Sequence, residues 1–452
     1  MTSLPFYLVT LTHPAWEEAL LCASSLPPGC LPEVRLDLFP DQDPERLVAS
    51  LRGRCLVTCR VREEGGRWEG PEEERIGRLQ RALEARPLWL DLEWDRAVPE
   101  GFRPHLARTR LLRSVHVVEG VFDLAERLRA LPEGDAYKWV GWASRLSDNA
   151  RLRAPLAFAR DRGVLLSAFL MGPKGLPSRA LQGAWGGSFT YAAPDDGPPA
   201  APGQVPLDTL RSWRCHRLNP GHGVCAVLGA PVLHSRGPAF HNPRFQRALK
   251  SLVYLPMECD DAAEAMAALD ALDVVGASIT APLKESIARE LGLPGPVNTI
   301  WRRSPGTAWS AANTDQTAMA SLCTKLERGP VVILGGGGVA RTSGQFFADL
   351  GCPVLYVTRA GHTLPEEVED FAPVGVVQAT SVGMGPEDEL PFPSVLDAAL
   401  PTLRWAVEWV YRNETAFLRW AQGQSLSTVE GGMLFEAQAE AQSRIFIEQC
   451  GG

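Results

Sequence analysis

The 452-residue sequence predicts an α/β protein in which a (β/α)8 barrel precedes a two-lobed α/β unit. Apolar strands alternate with helix-like stretches eight times within residues 1–213, the pattern of a closed parallel barrel. The polar segment RCHRLNPGHG at 214–223 predicts a linker between domains with their own cores. The later stretch PVVILGGGGVARTSGQFFADLG indicates strand, glycine turn and helix, the start of a Rossmann-like lobe. We therefore expect a barrel over 1–214, a first lobe over 224–314 completed by a C-terminal helix at 431–448, and a second lobe over 315–430.

The composition argues against several classes of protein. The formal net charge of −8 gives no support for nucleic-acid or anionic-membrane binding, and the apolar fraction of 45% is that of ordinary globular proteins. The sequence contains no run of about 18 apolar residues, so it predicts no membrane span. The N-terminal stretch MTSLPFYLVTLTHPAW predicts a first strand and not a signal peptide. The ten cysteines are scattered without metal-ligand spacing, so we expect reduced thiols in a cytoplasmic protein and no metal.

Eight apolar stretches predict the strands of the barrel. They are FYLVTL at 6, EVRLDLF at 33, RCLVTCR at 54, LWLDLEW at 88, LLRSVHVV at 111, YKWVGW at 137, VLLSAFL at 164 and GSFTYA at 187. Amphipathic segments such as PEEERIGRLQRALEA lie between them and predict the outer helices. Polar residues cluster late in these strands or just after them, at the end where such barrels carry their chemistry.

One lysine, Lys138, lies inside the aromatic and apolar strand YKWVGW. Its head group could reach water along a buried stem, or the lysine could act uncharged as an amine nucleophile. Strand alternation places Lys138 on the face opposite Tyr137 and Trp139. We expect that face to point into the barrel mouth, toward His116 on the preceding strand, where desolvation and nearby arginines would lower the lysine pKa.

Further polar residues are predicted at the same mouth. Glu33, Arg35 and Asp37 alternate along EVRLD and should point the same way. The others lie on or after later strands: Arg60, Glu64, His116, Arg179 and Gln204. Singly, each has a structural explanation, such as an Arg35–Asp37 ion pair or a satisfied core histidine. Together they would place a lysine, a histidine, acids and arginines that can hold a substrate carboxylate at one site.

Residues 1–213 resemble type I 3-dehydroquinate dehydratase, the Schiff-base class. The resemblance rests on EVRLD, TCR followed by EGG, SVH, YKWVGWAS, MGPKGLPSR and APGQ, in the family's order. It implies that Lys138 forms an imine with the substrate ketone, that His116 transfers the protons and that Glu64 orients His116. It also implies a substrate pocket lined by Glu33, Arg35, Arg60, Arg179 and Gln204. Val117 and Ala200 stand where the family usually has Asp and Ser, which bears on rate and affinity more than on reaction type.

In residues 224–452, the motifs GAPVLHSRGPAFHN, GASITAPLKE, GPVNT and NTD supply a second polar set. Its members are Ser235, Thr280, Lys284, Asn298 and Asp315. Turns and helix caps would explain any one of them. Lys284 together with Asp315 indicates a catalytic role in ketone reduction. Hydride transfer to a ketone creates an alkoxide, which an ammonium held by a carboxylate can stabilise and protonate.

The glycine turn LGGGGVAR follows an apolar strand and precedes a helix, so its backbone can approach a pyrophosphate. An NAD site usually places an acid at the end of the next strand, about 20 residues on. Thr358 and Arg359 stand there instead. An arginine suits a 2′-phosphate and predicts NADP(H), with a solvated rim arginine as the alternative.

This half resembles shikimate dehydrogenase in HSRGPAFHN, SITAPLKE, PVNT, NTD, GGGGVAR, ATSVGM and QAEAQSRIF. The resemblance implies that Lys284 and Asp315 are the catalytic pair. It implies shikimate contacts from Ser235, Thr280, Asn298, Tyr411 and Gln438, and cofactor contacts from Gly335, Gly337, Gly338, Val339, Arg359 and Thr380. Gly237, Ser278 and Leu434 replace the usual Ser, Asn and Met, and the lost hydroxyl is expected to loosen binding or widen substrate choice.

The two resemblances imply consecutive reactions on one chain. The sequence thus predicts a bifunctional enzyme of the shikimate pathway, a lyase joined to an NADP-dependent oxidoreductase, with small molecules as its only expected partners. One alternative is a quinate- or shikimate-sensing regulatory protein, which Ala200 and Gly237 favour and intact Lys138 and Lys284 oppose. The other is a catabolic quinate/shikimate dehydrogenase, which a preference for NAD would support.

Overall fold

The computed structural model describes residues 4–117, 122–361, 363–385, 388–411 and 414–450. Its first sheet has eight strands. These are β1 (Tyr7–Thr10), β2 (Cys30–Arg35), β3 (Leu56–Thr58), β4 (Trp89–Glu93), β5 (Arg110–His116), β6 (Ala136–Trp142), β7 (Leu166–Met171) and β8 (Thr190–Ala192). Neighbouring strands pair in chain order from β1 to β7, and β8 pairs in parallel with β1. The Ser188 N–H donates to the Leu166 carbonyl at 2.8 Å, which brings the start of β8 beside β7 and closes the barrel. All eight predicted strands are confirmed.

Helices surround these strands, as the amphipathic segments predict. They are α1 (Trp16–Ser25), α2 (Pro44–Ser50), α3 (Glu72–Glu84), α4 (Leu124–Arg127), α5 (Arg153–Asp161), α6 (Leu176–Ala180), α7 (Gln182–Trp185) and α8 (Leu207–Ser212). Short 3-10 turns occupy Leu36–Leu38, Arg62–Glu64, Glu100–Phe102, Leu146–Leu152, Pro173–Gly175 and Cys215–Arg217. Asp43 caps α2 by accepting from two backbone N–H groups, and three glutamates in the first turn of α3 suit the helix dipole.

The second sheet contains β9 (Gly223–Gly229), β10 (Leu252–Glu258), β11 (Val274–Ile279), β12 (Thr299–Trp301) and β13 (Ser310–Ala312). Its order is β10-β9-β11-β12-β13, with the first three strands parallel and the last two antiparallel. The accompanying helices are α9 (Gly237–Arg247), α10 (Ala262–Ala271), α11 (Lys284–Glu290) and α12 (Thr314–Cys323). This sheet brings the end of β11 and the start of β12 near the starts of α11 and α12.

The third sheet contains β14 (Val331–Leu334), β15 (Val354–Val357), β16 (Gly375–Gln378), β17 (Trp405–Glu408) and β18 (Ser427–Val429). It is fully parallel, in the order β15-β14-β16-β17-β18. Its helices are α13 (Gly338–Asp349), α14 (Pro365–Phe371), α15 (Pro393–Ala399), α16 (Ala416–Gly423) and α17 (Gly431–Gln449). The chain leaves β14 for β15 on one side and then returns to β16 on the other, so the carboxyl end of β14 is the switch point where such sheets bind ligands.

The last helix, α17, returns to the second sheet. Phe446 lies in the core formed with Phe245 and Tyr254, and His241 Nδ1 lies 2.7 Å from Ser443 Oγ. The chain therefore places the predicted C-terminal helix against the first lobe.

The segment 214–223 differs from a free linker. Cys215 is fully buried and Leu218 is almost so, and both belong to a cluster that includes Leu156 of the barrel and Leu269 of the first lobe. The two units therefore share one continuous apolar core instead of having separate cores at this boundary. All ten cysteines are free thiols, and no helix among the described residues has the length and hydropathy to cross a membrane.

Candidate active sites

Lys138 lies in a buried charged group at the barrel mouth. Its Nζ is 3.8 Å from Glu33 Oε1, 3.9 Å from Asp91 Oδ2 and 3.9 Å from the Tyr191 ring centroid. Arg60 Nη2 lies 3.7 and 3.8 Å from the same two carboxylate oxygens. Burial, and then Arg60, lower the pKa of Lys138 to about 8, although Glu33 and Asp91 act in the opposite direction. Lys138 is thus free amine more often than an ordinary lysine at neutral pH.

Several polar atoms around this lysine are buried without a hydrogen-bond partner. They include Glu33 Oε1 and Arg60 Nη2. The second oxygen of Glu33 accepts from Thr10 Oγ1 at 2.7 Å, which fixes the carboxylate. Because unpaired buried polar groups are costly, these atoms are suited to a ligand that brings its own hydroxyl or carboxylate groups.

His116, at the end of β5, contacts Glu64 on the 3-10 turn after β3. Its Nδ1 lies 2.8 Å from Glu64 Oε2, and the imidazole is buried. Burial lowers the pKa of His116 well below its usual value, and the charges of Arg60 and Lys138 lower it further. Burial also raises the pKa of Glu64 to about 7. The imidazole is therefore neutral at physiological pH and can act as a base.

Arg35 and Asp37 form an ion pair, which was the structural explanation that the sequence offered for these two residues. Arg35 Nε donates to Asp37 Oδ1 at 2.8 Å, and the second guanidinium nitrogen also pairs with this carboxylate. Asp37 lies in a 3-10 turn because β2 ends at Arg35, so the strand alternation does not reach it. Asp37 also accepts from the backbone N–H groups of Arg60 and Arg67, and it shapes the loop after β3.

Arg179 lies on α6, which follows β7, and Gln204 lies in the loop after β8. Arg179 is buried with its guanidinium carbon 4.2 Å from the Phe169 ring centroid, and burial lowers its pKa to about 9. Its charge is close enough to His116 to lower the histidine pKa. Gln204 Oε1 accepts from the Ala200 N–H at 2.7 Å, so its side chain orders the loop in which the family's serine is replaced.

Sequence reasoning missed Asp91 and Tyr191. Both are buried and both contact the Lys138 ammonium. An acid in the apolar strand LWLDLEW was the available signal for Asp91, which alternates with Glu93. Glu93 has a different role, because its carboxylate pairs with Arg75 at 2.8 Å.

A second charged network joins the first lobe to the start of α12. Lys284 Nζ donates to Asp315 Oδ2 at 2.5 Å, and Asn298 Nδ2 donates to Asp315 Oδ1 at 2.8 Å. Asn298 Oδ1 in turn accepts from the Thr314 N–H at 2.7 Å. Thr314 Oγ1 lies 3.4 Å from Gln438 Oε1, which brings α17 into the network. The structure therefore brings together four of the predicted residues.

The other predicted substrate contacts lie in the segments that follow β9, β11 and β17. Ser235 Oγ accepts from the Gly237 N–H at 3.1 Å just before α9. Thr280 follows β11, and its N–H donates to the Leu228 carbonyl at 2.9 Å. The Tyr411 ring lies 5.1 Å from that of Phe435 on α17, and burial raises the pKa of Tyr411.

Two departures from the family are linked through Tyr254. A Cβ on Gly237 would lie 2.9 Å from the Tyr254 ring, so a serine there requires the tyrosine to move. The Tyr254 hydroxyl donates to Ser278 Oγ at 2.6 Å, and Ser278 donates to Gln442 Oε1 at 2.8 Å. Gly237 thus leaves space for the ring of the buried Tyr254, and Ser278 accepts a hydrogen bond from its hydroxyl. Leu434, the third departure, is fully buried.

The glycine turn after β14 has the geometry of a dinucleotide cradle. Gly335 has φ +122°, and a Cβ there would lie 2.9 Å from the Ala379 carbonyl oxygen. Gly337 precedes α13 without a capping side chain, so the first N–H groups of the helix are available to a phosphate. A Cβ on Gly338 would lie 3.5 Å from Lys284 Cβ, which places the turn beside the lysine network.

The remaining predicted cofactor residues surround this turn. Thr380 donates through N and Oγ1 to Gln378 Oε1, both at 3.0 Å. Val339 is half-buried in the first turn of α13, and Arg359 is exposed just after β15. The backbone thus fits a dinucleotide, and Arg359 lies at the end of the strand that follows the glycine turn.

Outside both sites, the described residues contain one group that could coordinate a cation. It consists of His13, Cys22 and Asp196, whose ligand atoms lie within 4.8 Å of one another. His13 Nε2 already lies 3.1 Å from Asp196 Oδ1, which explains the arrangement without a metal. The expectation of a metal-free protein stays a prediction.

These elements define a barrel with a buried, low-pKa lysine joined to a two-lobed α/β unit with a dinucleotide cradle. Residues 7–214 match the family model of type I 3-dehydroquinase, and residues 227–293 match that of the shikimate dehydrogenase substrate binding domain. Models of these two families thus match successive parts of this one chain.

Three known proteins resemble the chain over all or part of its length. The chain is 26% identical to the chloroplastic bifunctional 3-dehydroquinate dehydratase/shikimate dehydrogenase of Arabidopsis thaliana, over 92% of this chain and 77% of the relative. It is 29% identical to the shikimate dehydrogenase (NADP(+)) of Synechocystis, over 50% of this chain and 90% of that protein. The structure of dehydroquinate dehydratase and shikimate dehydrogenase from S. pombe AroM aligns with a TM-score of 0.40 and 22% identity, covering 98% of this chain and 96% of that one.

Proposed function

We propose that the chain catalyses two consecutive steps of the shikimate pathway. The first is the dehydration of 3-dehydroquinate to 3-dehydroshikimate, and the second is the reduction of that ketone to shikimate with NADPH. The observation that carries the proposal is the buried Lys138, with its pKa lowered to about 8, beside a neutral His116 held by Glu64. Residues 1–214 form the dehydratase, 224–314 with 431–448 the substrate lobe and 315–430 the cofactor lobe.

In the barrel, the Lys138 amine attacks the ketone carbon and the adduct loses water to form a protonated imine. His116 Nε2 then removes the α-proton, and the electron pair moves into the imine to give an enamine. The enamine expels the β-hydroxyl, which takes the proton from His116 and leaves as water. Hydrolysis of the imine returns free Lys138 and the product ketone. The substrate carboxylate and hydroxyls are held by Glu33, Arg35, Arg60, Arg179 and Gln204.

In the second half, the first turn of α13 and the glycines at 335, 337 and 338 would hold the pyrophosphate, with Val339 and Thr380 beside it. Arg359 would bind the 2′-phosphate, which favours NADP over NAD. NADPH, when bound, supplies the hydride. Lys284, fixed by Asp315, stabilises and protonates the ketone oxygen as it gains charge. Ser235, Thr280, Asn298, Tyr411 and Gln438 orient the substrate ring.

A ligand-sensing protein with degenerate sites is not favoured. The Lys138, His116 and Glu64 side chains keep a geometry suited to catalysis, and the Lys284–Asp315 pair is formed. Sensing alone requires neither a lysine of lowered pKa nor a paired ammonium.

The direct test incubates the purified chain with 3-dehydroquinate and NADPH. Shikimate should accumulate with one NADPH consumed per molecule formed. Two matched variants separate the halves. Lys138→Met should leave 3-dehydroquinate unchanged but still reduce added 3-dehydroshikimate, and Lys284→Met should convert 3-dehydroquinate to 3-dehydroshikimate without forming shikimate. Accumulation of 3-dehydroshikimate by the unmodified protein would contradict the second activity, and recovery of unchanged 3-dehydroquinate would contradict the first.

A further inference from the structure

Glu264, on α10 of the first lobe, contacts two loops of the barrel. Its carboxylate oxygens accept from Lys174 Nζ at 2.9 and 3.0 Å, and one of them also accepts from the Leu146 N–H at 2.7 Å. The two side chains are largely shielded, with Glu264 18% and Lys174 25% exposed. Burial lowers the pKa of Lys174, but the hydrogen bond and charge of Glu264 outweigh it, so the pKa is raised overall.

The two contacted loops follow the strands that carry the barrel site. Leu146 begins the turn after β6, the strand of Lys138, and Lys174 lies in the turn between β7 and the helix of Arg179. Asn149 ties these loops together, since its Nδ2 donates to the carbonyls of Leu146 and Lys174. Glu264 therefore adds a charged contact to an arrangement that positions both strand ends.

The same arrangement extends to the loop after β8. The Gly172 N–H donates to the Pro202 carbonyl at 3.1 Å. Gly203 has φ +78°, and a Cβ there would lie 2.4 Å from the Gly172 oxygen, so the two loops are in backbone contact. Gln204, which orders that loop through Ala200, follows directly. A shift of the Lys174 turn would therefore move the Gln204 loop as well.

Glu264 is itself held in place by the first lobe. Asp261 caps α10 by accepting from the Glu264 N–H at 2.7 Å. At the other end of the helix, Arg153 of the barrel donates to the Ala271 carbonyl at 2.9 Å and pairs with Asp273. Because α10 is fixed at both ends, its glutamate is a rigid support for the barrel loops.

We propose that Glu264 is a positioning residue for the dehydration, supplied to the barrel by the dehydrogenase half. It acts through Lys174 and the Leu146 N–H, and it touches neither substrate nor Lys138. The kinetic test of this inference, the KM for 3-dehydroquinate, rests on the proposed function. The structural test, backbone hydrogen exchange, rests on the contacts alone. It makes the barrel site dependent on the second half of the chain.

The kinetic test uses the full chain with Glu264→Ala, Glu264→Gln and the control Asp273→Asn. Asp273 has φ +55°, a conformation that Asn tolerates. The control breaks the ion pair with Arg153, which follows the Leu146–Leu152 turn, and leaves the contacts of Leu146 and Lys174 in place. Glu264→Ala should raise the KM for 3-dehydroquinate roughly tenfold, with a smaller change in kcat. Glu264→Gln, which keeps an acceptor for Leu146, should have an intermediate KM. Both should reduce 3-dehydroshikimate at a rate within twofold of normal, which also reports correct folding.

The structural test measures backbone hydrogen exchange in the same three variants. Exchange at 143–152 and 172–180 should accelerate in Glu264→Ala and stay unchanged in Asp273→Asn. Unchanged KM and exchange in Glu264→Ala would overturn the inference, and so would equal effects of both substitutions, which would indicate general loosening of the interface. If the unmodified chain does not dehydrate 3-dehydroquinate, the proposed function fails, and the exchange data still decide the role of Glu264.

Discussion

His116 Nδ1 lies 2.8 Å from Glu64 Oε2, and this distance links the ionisation of one side chain to the tautomer of the other. An ionised Glu64 accepts the Nδ1 hydrogen and leaves Nε2 free to take a proton. A protonated Glu64 donates to Nδ1 and forces the ring hydrogen onto Nε2, where the imidazole is no longer a base. Since burial raises the pKa of Glu64 to about 7, the active tautomer is lost as the pH falls through neutrality.

The first prediction is a steep acid limb for dehydration. The logarithm of kcat/KM should fall with a slope approaching two below about pH 7, because Lys138, with a pKa of about 8, and Glu64, with a pKa of about 7, must both lose a proton. Glu64→Gln should reduce the slope to one, since the amide oxygen accepts the Nδ1 hydrogen at every pH. Stopped assays of 3-dehydroquinate across pH 5–9 measure both profiles. Identical slopes in the two proteins would show that Glu64 does not titrate in this range.

The second prediction concerns covalent chemistry at Lys138. Borohydride added with 3-dehydroquinate should trap a stable adduct on Lys138, detected by peptide mass spectrometry. Lys138→Met should form no adduct and no 3-dehydroshikimate, while shikimate oxidation stays near normal. The reduction confirms the reacting residue, since a lysine that merely snorkels forms no bond to substrate. Dehydration at the normal rate by Lys138→Met would make the lysine structural.

The barrel strands and the Lys138 environment could be predicted because their signals are local. Each strand is an apolar run, and the alternation of YKWVGW determines which side chains share the lysine's face. Asp91 and Tyr191 could not be assigned the same way, because their contact with Lys138 forms only when β4, β6 and β8 close around one axis. Glu264 and Lys174 are 90 residues apart, and nothing near either residue indicates the other.

The burial within segment 214–223 could not be predicted, for a different reason. The segment RCHRLNPGHG is polar on average, and average polarity hides the burial of Cys215 and Leu218. Burial of single residues in such a segment depends on the surface it crosses, which the local sequence does not contain. The apolar face of α10 against the barrel is likewise a property of the assembled chain.

The third prediction compares two N-terminal fragments. Fragment 1–214 lacks Cys215 and Leu218, and it also lacks His216, whose ring and N–H both contact the Tyr7 hydroxyl at 3.0 and 3.1 Å. Fragment 1–222 keeps all three residues. We expect 1–222 to unfold at a higher temperature, since burying one leucine alone is worth about 1.5–3 kcal/mol. Circular dichroism melts provide the measurement, and equal midpoints would mean that the segment contributes nothing to barrel stability.

The fourth prediction is the cofactor preference. Arg359 is exposed after β15, at the position suited to a 2′-phosphate, so kcat/KM should favour NADPH over NADH roughly tenfold or more. Arg359→Asp should erase or reverse this ratio by repelling the phosphate and accepting from the ribose hydroxyls. Arg341→Asp is not a suitable control because Arg341 pairs with Glu285, so Arg328→Asp, on an exposed loop, serves instead. Equal kcat/KM values for the two cofactors in the unmodified protein would contradict the assignment.

The fifth prediction tests the carboxylate that sequence reasoning missed. Asp91 Oδ2 lies 3.9 Å from Lys138 Nζ, and its negative charge raises the lysine pKa against the lowering effects of burial and Arg60. Asp91→Asn should therefore lower the pKa of Lys138 further. An opposite charge at this distance typically shifts a pKa by about 1 unit or more, so the part of the acid limb that reports Lys138 should move to lower pH by that amount.

The measurement is the pH dependence of dehydration by Asp91→Asn, combined with the rate of borohydride trapping on Lys138. Trapping at pH 6 should be faster in the variant than in the unmodified protein, because a larger fraction of the lysine is free amine. The control for the trapping rate is Glu93→Gln, which removes the neighbouring strand acid that pairs with Arg75. It is not used for the pH profile, because the charge of Glu93 also raises the pKa of Glu64. A limb that stays in place in Asp91→Asn would mean that Asp91 already carries a proton in the native barrel, consistent with the raised pKa that burial gives it, and that Glu33 alone balances the two cations.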